Sequence, residues 1–418
     1  MSYGDAAKQV RSTTVFTTHT PVPAGHDVFP FALMDKYFGS YIPLLEMERE
    51  ELYRVGSDPS NPGAGFNMTA FALRMSAYCN AVSKKHGEVT RNMWHHLWPE
   101  LSEKDAPIGH ITNGVHIPTW IDSRLAALFN NYLGPNWMAD HDSASIWQLV
   151  DDIPDAELWR VHRLLKMVLI AVMQERARER WKEHADPNII MASGILFDPN
   201  TLTLGFARRF ASYKRANLIL SDLERLKGIL SHTRRPVQIV FAGKAHPSDN
   251  AGKQLIQQVY NIAKDPAFCG RVAFIEDYDE ELAQYLVHGV DVWLNNPQPP
   301  FEASGTSGMK AGINGVPHLS VLDGWWIEGY KGNNGWAFDG DSDGSVARDS
   351  EELYSILEKH IVPIYYSKDE SGIPGEWVRI MKESIKSTVP DFCSRRMVKE
   401  YALNFYQDAL LHANEKET

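Results

Sequence analysis

Residues 299–310, Pro-Pro-Phe-Glu-Ala-Ser-Gly-Thr-Ser-Gly-Met-Lys, put a lone lysine at the end of a glycine-rich stretch, a combination that suits a phosphate. The stretch follows an apolar run, Val290 to Leu294, and enters a small-residue segment, so it reads as a strand, a glycine-rich turn and a helix start. Glycines let backbone N–H groups close on an anion, a helix N-terminus adds partial positive charge, and Lys310 could add a full charge or a nucleophilic amine. An ordinary strand-to-helix turn would carry the same spacing. A second candidate is the run Leu202 to Phe206, which ends in Arg208, Arg209, Lys214 and Arg215, four cations within eight residues. A cluster of that kind at a strand end could bind a dianion. A solvated helix start is the plainer alternative, although helix N-termini disfavour cations. A third strand end carries Gly243, Lys244 and His246, where glycine and Pro247 would equally make a turn.

The elements that must position these residues follow from periodicity. From Leu202 onward apolar runs at 202–206, 237–242, 272–275, 290–294 and 318–322 alternate with helical patterns at 216–231, 251–264 and 280–288, and a short helix is expected after Gly305. Repeated βαβ order with buried, non-alternating strands predicts a parallel sheet covered by helices on both faces. Ligands of such sheets bind at the carboxyl ends of the strands, where all three candidate loops lie. Before this region the spacing predicts a long amphipathic helix over 155–182 and a helix over 68–85 among loops rich in Pro, Gly and aromatics. Helices over 351–361, 376–387 and 395–413 close the chain, and no internal repeat is present.

Bulk composition narrows the partners. At 418 residues the chain exceeds what one core usually holds, and 44% hydrophobic with 23% charged residues is a globular balance. A net charge of −11 argues against nucleic acid or an anionic membrane as the main partner. Three scattered cysteines, Cys79, Cys269 and Cys393, and no basic-then-apolar leader fit a soluble cytoplasmic protein.

Taken together the motifs resemble those of the α-glucan phosphorylases, the pyridoxal-phosphate-dependent family of glycogen and maltodextrin phosphorylase. Glu302-Ala303-Ser304-Gly305-Thr306 with Met309-Lys310 is similar to the family's cofactor-lysine motif, and Arg209 with Tyr213-Lys214-Arg215 to its phosphate motif. Gly243-Lys244-Ala245, Thr112-Asn113-Gly114, Thr18-His19-Thr20 and Glu276-Asp277-Tyr278 match in order. The resemblance implies an α/β fold of the glycosyltransferase B type, a Rossmann-like doubly wound parallel sheet with a remnant of the N-terminal lobe. It implies a lobe remnant over 1–112, the cofactor and phosphate domain over 113–394, and a terminal helix, 395–418, packing back toward the N-terminal part. It implies that Lys310 holds pyridoxal 5′-phosphate as a Schiff base, with Gly305, Thr306, Ser307 and Arg208 on the cofactor phosphate and Tyr278 beside it. Arg209 and Lys214 would bind inorganic phosphate, and His19 would act with them and Lys310 in catalysis. His19, Asn113, Glu302 and Ser304 would contact the terminal glucose, with Tyr213 packing nearby. The implied reaction is phosphorolysis of an α-1,4-glucan to α-glucose 1-phosphate, without a metal.

The sequence also departs from the family pattern. Ser307-Gly308 stands where well-known members have Gly-Asn, Phe210-Ala211-Ser212 replaces a more polar trio, and Arg208 replaces a lysine. Thr18-His19-Thr20 comes only a few residues in, so the resemblance implies a fragment, a truncated gene product or half of a split enzyme that works with a separate N-terminal-lobe polypeptide. It leaves a homo-oligomer open. Two rival functions stand beside it: a nucleotide-sugar glycosyltransferase of the glycogen-synthase kind, which has no use for Lys310, and a non-catalytic carbohydrate-binding remnant. Trp325-Trp326 suit a sugar platform or core packing equally. The acidic run 339–344 lacks the twelfth-position Glu of a calcium loop, and the histidines near His95-His96 lack zinc spacing.

Overall fold

The computed structural model describes residues 2–183, 186–340 and 343–414. Contacts divide the chain into two compact units, Met1–Asn113 with Pro300–Ser304 and Arg395–Thr418, and Gly114–Pro299 with Gly305–Ser394.

The first unit is built on three short parallel strands, β1 (Val15–Thr17), β4 (Tyr78–Ala81) and β5 (Ile108–His110), in the order β1-β4-β5. A small antiparallel pair, β2 (Val28–Phe29) and β3 (Phe66–Asn67), stands apart from them. The helix expected over 68–85 is broken here. Helix Met68–Arg74 ends, β4 follows, and helix Lys84–Trp94 begins afresh, capped by the Ser83 hydroxyl. Burial of Cys79 and Ala81 between two strand neighbours overrides the helical pattern on either side. Asn80 fixes the terminal helical segment to this sheet, its amide donating to the Tyr401 hydroxyl at 2.9 Å.

The second unit holds a six-stranded, all-parallel sheet in the order β11-β10-β9-β6-β7-β8. Its strands are β6 (Leu202–Ala207), β7 (Val237–Ala242), β8 (Val272–Ile275), β9 (Val292–Asn295), β10 (His318–Val321) and β11 (Gly335–Phe338). Successive side chains of β7 divide between two separate cores: Val237, Ile239 and Phe241 enter one, Val240 and Ala242 the other. The sheet is therefore covered on both faces, and its strands read as continuous apolar runs rather than alternating ones. Edge strand β11 was not foreseen from the sequence. The helix expected over 216–231 is shorter, a 3₁₀ turn at Leu218–Leu220 followed by helix Leu223–Leu230, because the Asp222 carboxylate caps the Arg225 N–H. Helix Asp155–Glu183 matches its expected span.

At the N-terminal end of the sheet a buried ionic cluster ties this helix to the strands. The Lys166 ammonium pairs with Asp291 and donates to the Tyr365 hydroxyl at 3.0 Å, while His162 Nε2 lies 2.9 Å from Asp291. Asp291 also accepts from the Thr203 N–H at 2.7 Å. Burial alone would raise the Asp291 carboxyl, but Lys166 and His162 more than offset it and hold the group below the usual carboxylate range. Trp325 and Trp326 are buried and pack on each other, Trp325 also on Phe392, so they are core and not a sugar platform. Within the acidic run, Asp341 and Ser342 lie outside the described residues. Among the described residues no helix is long and apolar enough to cross a membrane, and no group of three or more His, Cys, Asp or Glu could hold a metal ion.

Candidate active site

In the second unit the candidate residues gather at the carboxyl ends of β6 to β9. The loop after β6 carries Arg208 and Arg209, and the loop after β7 lies directly against it. Arg208 N–H donates to the Ala242 carbonyl at 3.2 Å, and Phe210 N–H to the Lys244 carbonyl at 2.9 Å. Gly243 makes this approach feasible: at φ +150° a β-carbon there would collide with the Arg208 carbonyl and sit 2.9 Å from the Phe210 ring. The glycine-lysine turn is thus the support beneath the basic loop. Arg208 is buried, and its guanidinium reaches the Ser307 hydroxyl at 3.4 Å, which brings the basic loop onto the glycine loop. Arg209 is exposed, whereas Lys214 is buried with its ammonium 4.7 Å from the centre of the Tyr213 ring.

The fourth cation of the cluster points elsewhere. Arg215 is buried and spends its guanidinium on the Asn296 and Pro297 carbonyls, each at 2.9 Å, and on the Asp349 carboxylate. The expectation of four cations gathered for one dianion is corrected, because Arg215 is taken up inside the fold.

Gly305 introduces the glycine loop in the left-handed region, φ 83° and ψ 53°, and helix Thr306–Gly312 follows at once. Thr306 and Ser307 occupy the first turn of that helix and Lys310 lies one turn on. The Lys310 ammonium sits 3.5 Å from the centre of the Trp120 ring. Burial pushes the Lys310 amine below the usual lysine range, with Glu280 opposing the shift. Trp120 is placed by Asn314, whose amide donates to the Trp120 carbonyl at 2.7 Å and to the Lys310 carbonyl at 2.9 Å. Neither Trp120 nor Asn314 was singled out in the sequence, since nothing local marks a contact between such distant positions.

The turn after β8 completes this group. Asp277 takes φ 55°, and Arg180 clamps Glu276 through both carboxylate oxygens. Tyr278 is half-buried; burial raises its hydroxyl, and Arg208 lies near enough for its charge to oppose that rise.

In the first unit four further candidates surround the carboxyl ends of β1, β4 and β5. Thr18 N–H donates to the Asn80 carbonyl at 2.9 Å, leaving His19 exposed just beyond β1. Asn113 N–H donates to the Val82 carbonyl at 3.0 Å, beyond β4 and β5. Ser83, which caps helix Lys84–Trp94, donates its hydroxyl to the Ala303 carbonyl at 2.6 Å and so holds the segment bearing Glu302 and Ser304. Glu302 and Ser304 are both buried, and the Ser304 hydroxyl has no hydrogen-bond partner among the described residues. An unpaired buried hydroxyl costs on the order of 1–3 kcal/mol, so such a group is suited to a ligand. His86, behind this loop, accepts the Val82 N–H on Nδ1 at 3.3 Å, and burial lowers it to about 4.

Comparison with known proteins identifies the chain's relatives. The chain is 52% identical over 413 residues to the glycogen phosphorylase of Aquifex aeolicus, covering 98% of this chain and 59% of that protein. It is 45% identical over 422 residues to the maltodextrin phosphorylase of Thermococcus litoralis, with 99% and 48% covered. The glycogen phosphorylase of Mycobacterium bovis is 39% identical over 423 residues, with 98% and 48% covered. The chain thus spans about half the length of the curated relatives it matches. The family described as carbohydrate phosphorylase matches residues 1–332, which take in both basic strand ends and the lysine loop. A parallel sheet with a half-buried lysine after a glycine turn, the ordered motifs and this match agree: the chain belongs to the carbohydrate phosphorylase family.

Proposed function

We propose that this chain carries the phosphate and cofactor chemistry of an α-1,4-glucan phosphorylase, cleaving glycogen, starch or maltodextrin with inorganic phosphate to give α-glucose 1-phosphate. The observation that carries this reading is the contact between Arg208 and Ser307, which joins a basic strand-end loop to the loop of an amine-bearing lysine. The residues fit pyridoxal 5′-phosphate. Lys310 is the only lysine of the loop, and burial favours its neutral, nucleophilic form. Gly305, Thr306, Ser307 and Arg208 would hold the cofactor phosphate, and Tyr278 would pack beside it. When bound, the group would supply a phosphate whose second ionisation falls near neutral pH.

Arg209 and Lys214 would hold and orient inorganic phosphate and stabilise its charge in a half-desolvated setting. In phosphorolysis the bond from the anomeric carbon to the glycosidic oxygen breaks. A bond from that carbon to a phosphate oxygen forms, and the phosphate's proton ends on the released hydroxyl. The substrate phosphate must therefore arrive protonated and be turned toward the sugar, a task for two cations of different shape. His19, Asn113, Glu302 and Ser304 are assigned to hydroxyls of the terminal glucose, Glu302 and Ser304 being the buried pair, and Tyr213 to packing around the sugar. The test is release of glucose 1-phosphate from maltodextrin with pyridoxal phosphate and inorganic phosphate supplied. Activity that needs both and disappears in Lys310→Ala supports the reading. Transfer from a nucleotide sugar, unaffected by Lys310→Ala, would sink it in favour of a glycogen-synthase type of enzyme.

A further inference from the structure

Arg215 closes the basic loop in a conformation that arginine rarely adopts. It follows the 3₁₀ turn Ser212–Lys214 with φ 46° and ψ 50°, a left-handed geometry that is costly for a residue with a β-carbon. The side chain explains why the position is held. Its Nε donates to the Asn296 carbonyl and its Nη2 to the Pro297 carbonyl, each at 2.9 Å, and its Nη1 pairs with the buried Asp349 of helix Val346–Ile356. A second link runs beside it, from the Gln298 N–H to the Tyr213 carbonyl at 2.8 Å. The segment so gripped is the backbone that leaves β9, and the gripping residue is bonded directly to Lys214.

We propose that Arg215 and Asp349 form a strut that sets the spacing between the basic loop and the segment leaving β9, so that phosphate affinity depends on it. Both are positioning residues and touch no substrate. The inference rests on the reading that Arg209 and Lys214 bind inorganic phosphate. The geometry favours arginine specifically: one planar group serves two carbonyls and a carboxylate, where a lysine would offer a point charge. A role limited to stability predicts something different. Replacing a buried ion pair by apolar residues of similar volume often leaves stability unharmed, while losing one partner does not. Arg215→Met with Asp349→Leu would therefore restore the packing but leave the Asn296 and Pro297 carbonyls without their donor.

The test is titration of inorganic phosphate into the full chain loaded with pyridoxal phosphate, for the unaltered protein, the double variant and Arg215→Lys, with a thermal melt of each. The strut predicts that both variants, when the melt shows them folded at the titration temperature, bind phosphate at least tenfold more weakly than the unaltered protein. Arg215→Lys provides the reading should the double variant not fold. Unaltered phosphate affinity in a folded variant would overturn the strut alone. Failure of the unaltered chain to bind phosphate would overturn the underlying reading and the strut with it.

Discussion

Burial works against the charge of Lys310, the residue proposed to hold the cofactor. Its amine is held below the ordinary lysine range by desolvation, and Glu280 only partly restores it. The neutral fraction of a lowered amine grows as pH rises toward its folded-state value. Cofactor loading should therefore accelerate with rising pH in a window below the ordinary lysine value of 10.5, and stopped-flow absorbance would follow it. A free lysine on the surface would show that window only near its ordinary value. Lys166 sits at the other end of the sheet and has a different role. Lys166→Met would leave Asp291 buried without its cation, and the expected loss is about 3–5 kcal/mol in urea denaturation. Adding Asp291→Leu should recover much of that loss, and a double variant as unstable as the single one would contradict the account.

At the level of elements, the strand ends of the larger sheet were legible because five of its strands are buried and announce themselves as apolar runs. Strand β11 was not: its sequence, Gly-Trp-Ala-Phe, is half-exposed in its middle and opens with glycine, so nothing in it distinguishes an edge strand from a loop. The segment 68–85 misled for the opposite reason. Strong helical patterns flank the short strand β4, which exists only because two partner strands hold it. Of the site, the lysine loop and the basic loop could be read from residue types, whereas the direction taken by Arg215 and the Trp120 contact depend on chain topology. The role of Gly243 also emerged only with the fold. Gly243→Ala should displace the Arg208 carbonyl, weakening phosphate binding at least tenfold and lowering stability by roughly 1–3 kcal/mol. Calorimetric titration with phosphate would reveal this, and normal binding by Gly243→Ala would refute the support role.

For the whole molecule, the two units respond to acid for separate reasons. His86 belongs to the first unit, and its folded-state value near 4 lies below the ordinary 6.5. A histidine lowered in this way leaves stability untouched above pH 6.5, and the native state weakens as pH falls from there toward about 4. The full effect is roughly 3 kcal/mol. Denaturation profiles across that range should show the loss, and His86→Gln should flatten it. In the second unit, Asp291 is held below the carboxylate range, so its contribution persists to lower pH. The family resemblance extends over nearly the whole chain, yet the chain spans about half of its relatives' length. The proposed phosphorolysis therefore concerns residues this chain supplies.

The most direct test of that proposal is to incubate the chain with pyridoxal 5′-phosphate, reduce with borohydride and map the modified peptide by mass spectrometry. The account predicts one phosphopyridoxyl group on Lys310, formed at near-stoichiometric yield and diminished by Arg208→Ala. Label scattered over exposed lysines, or none at all, would contradict it.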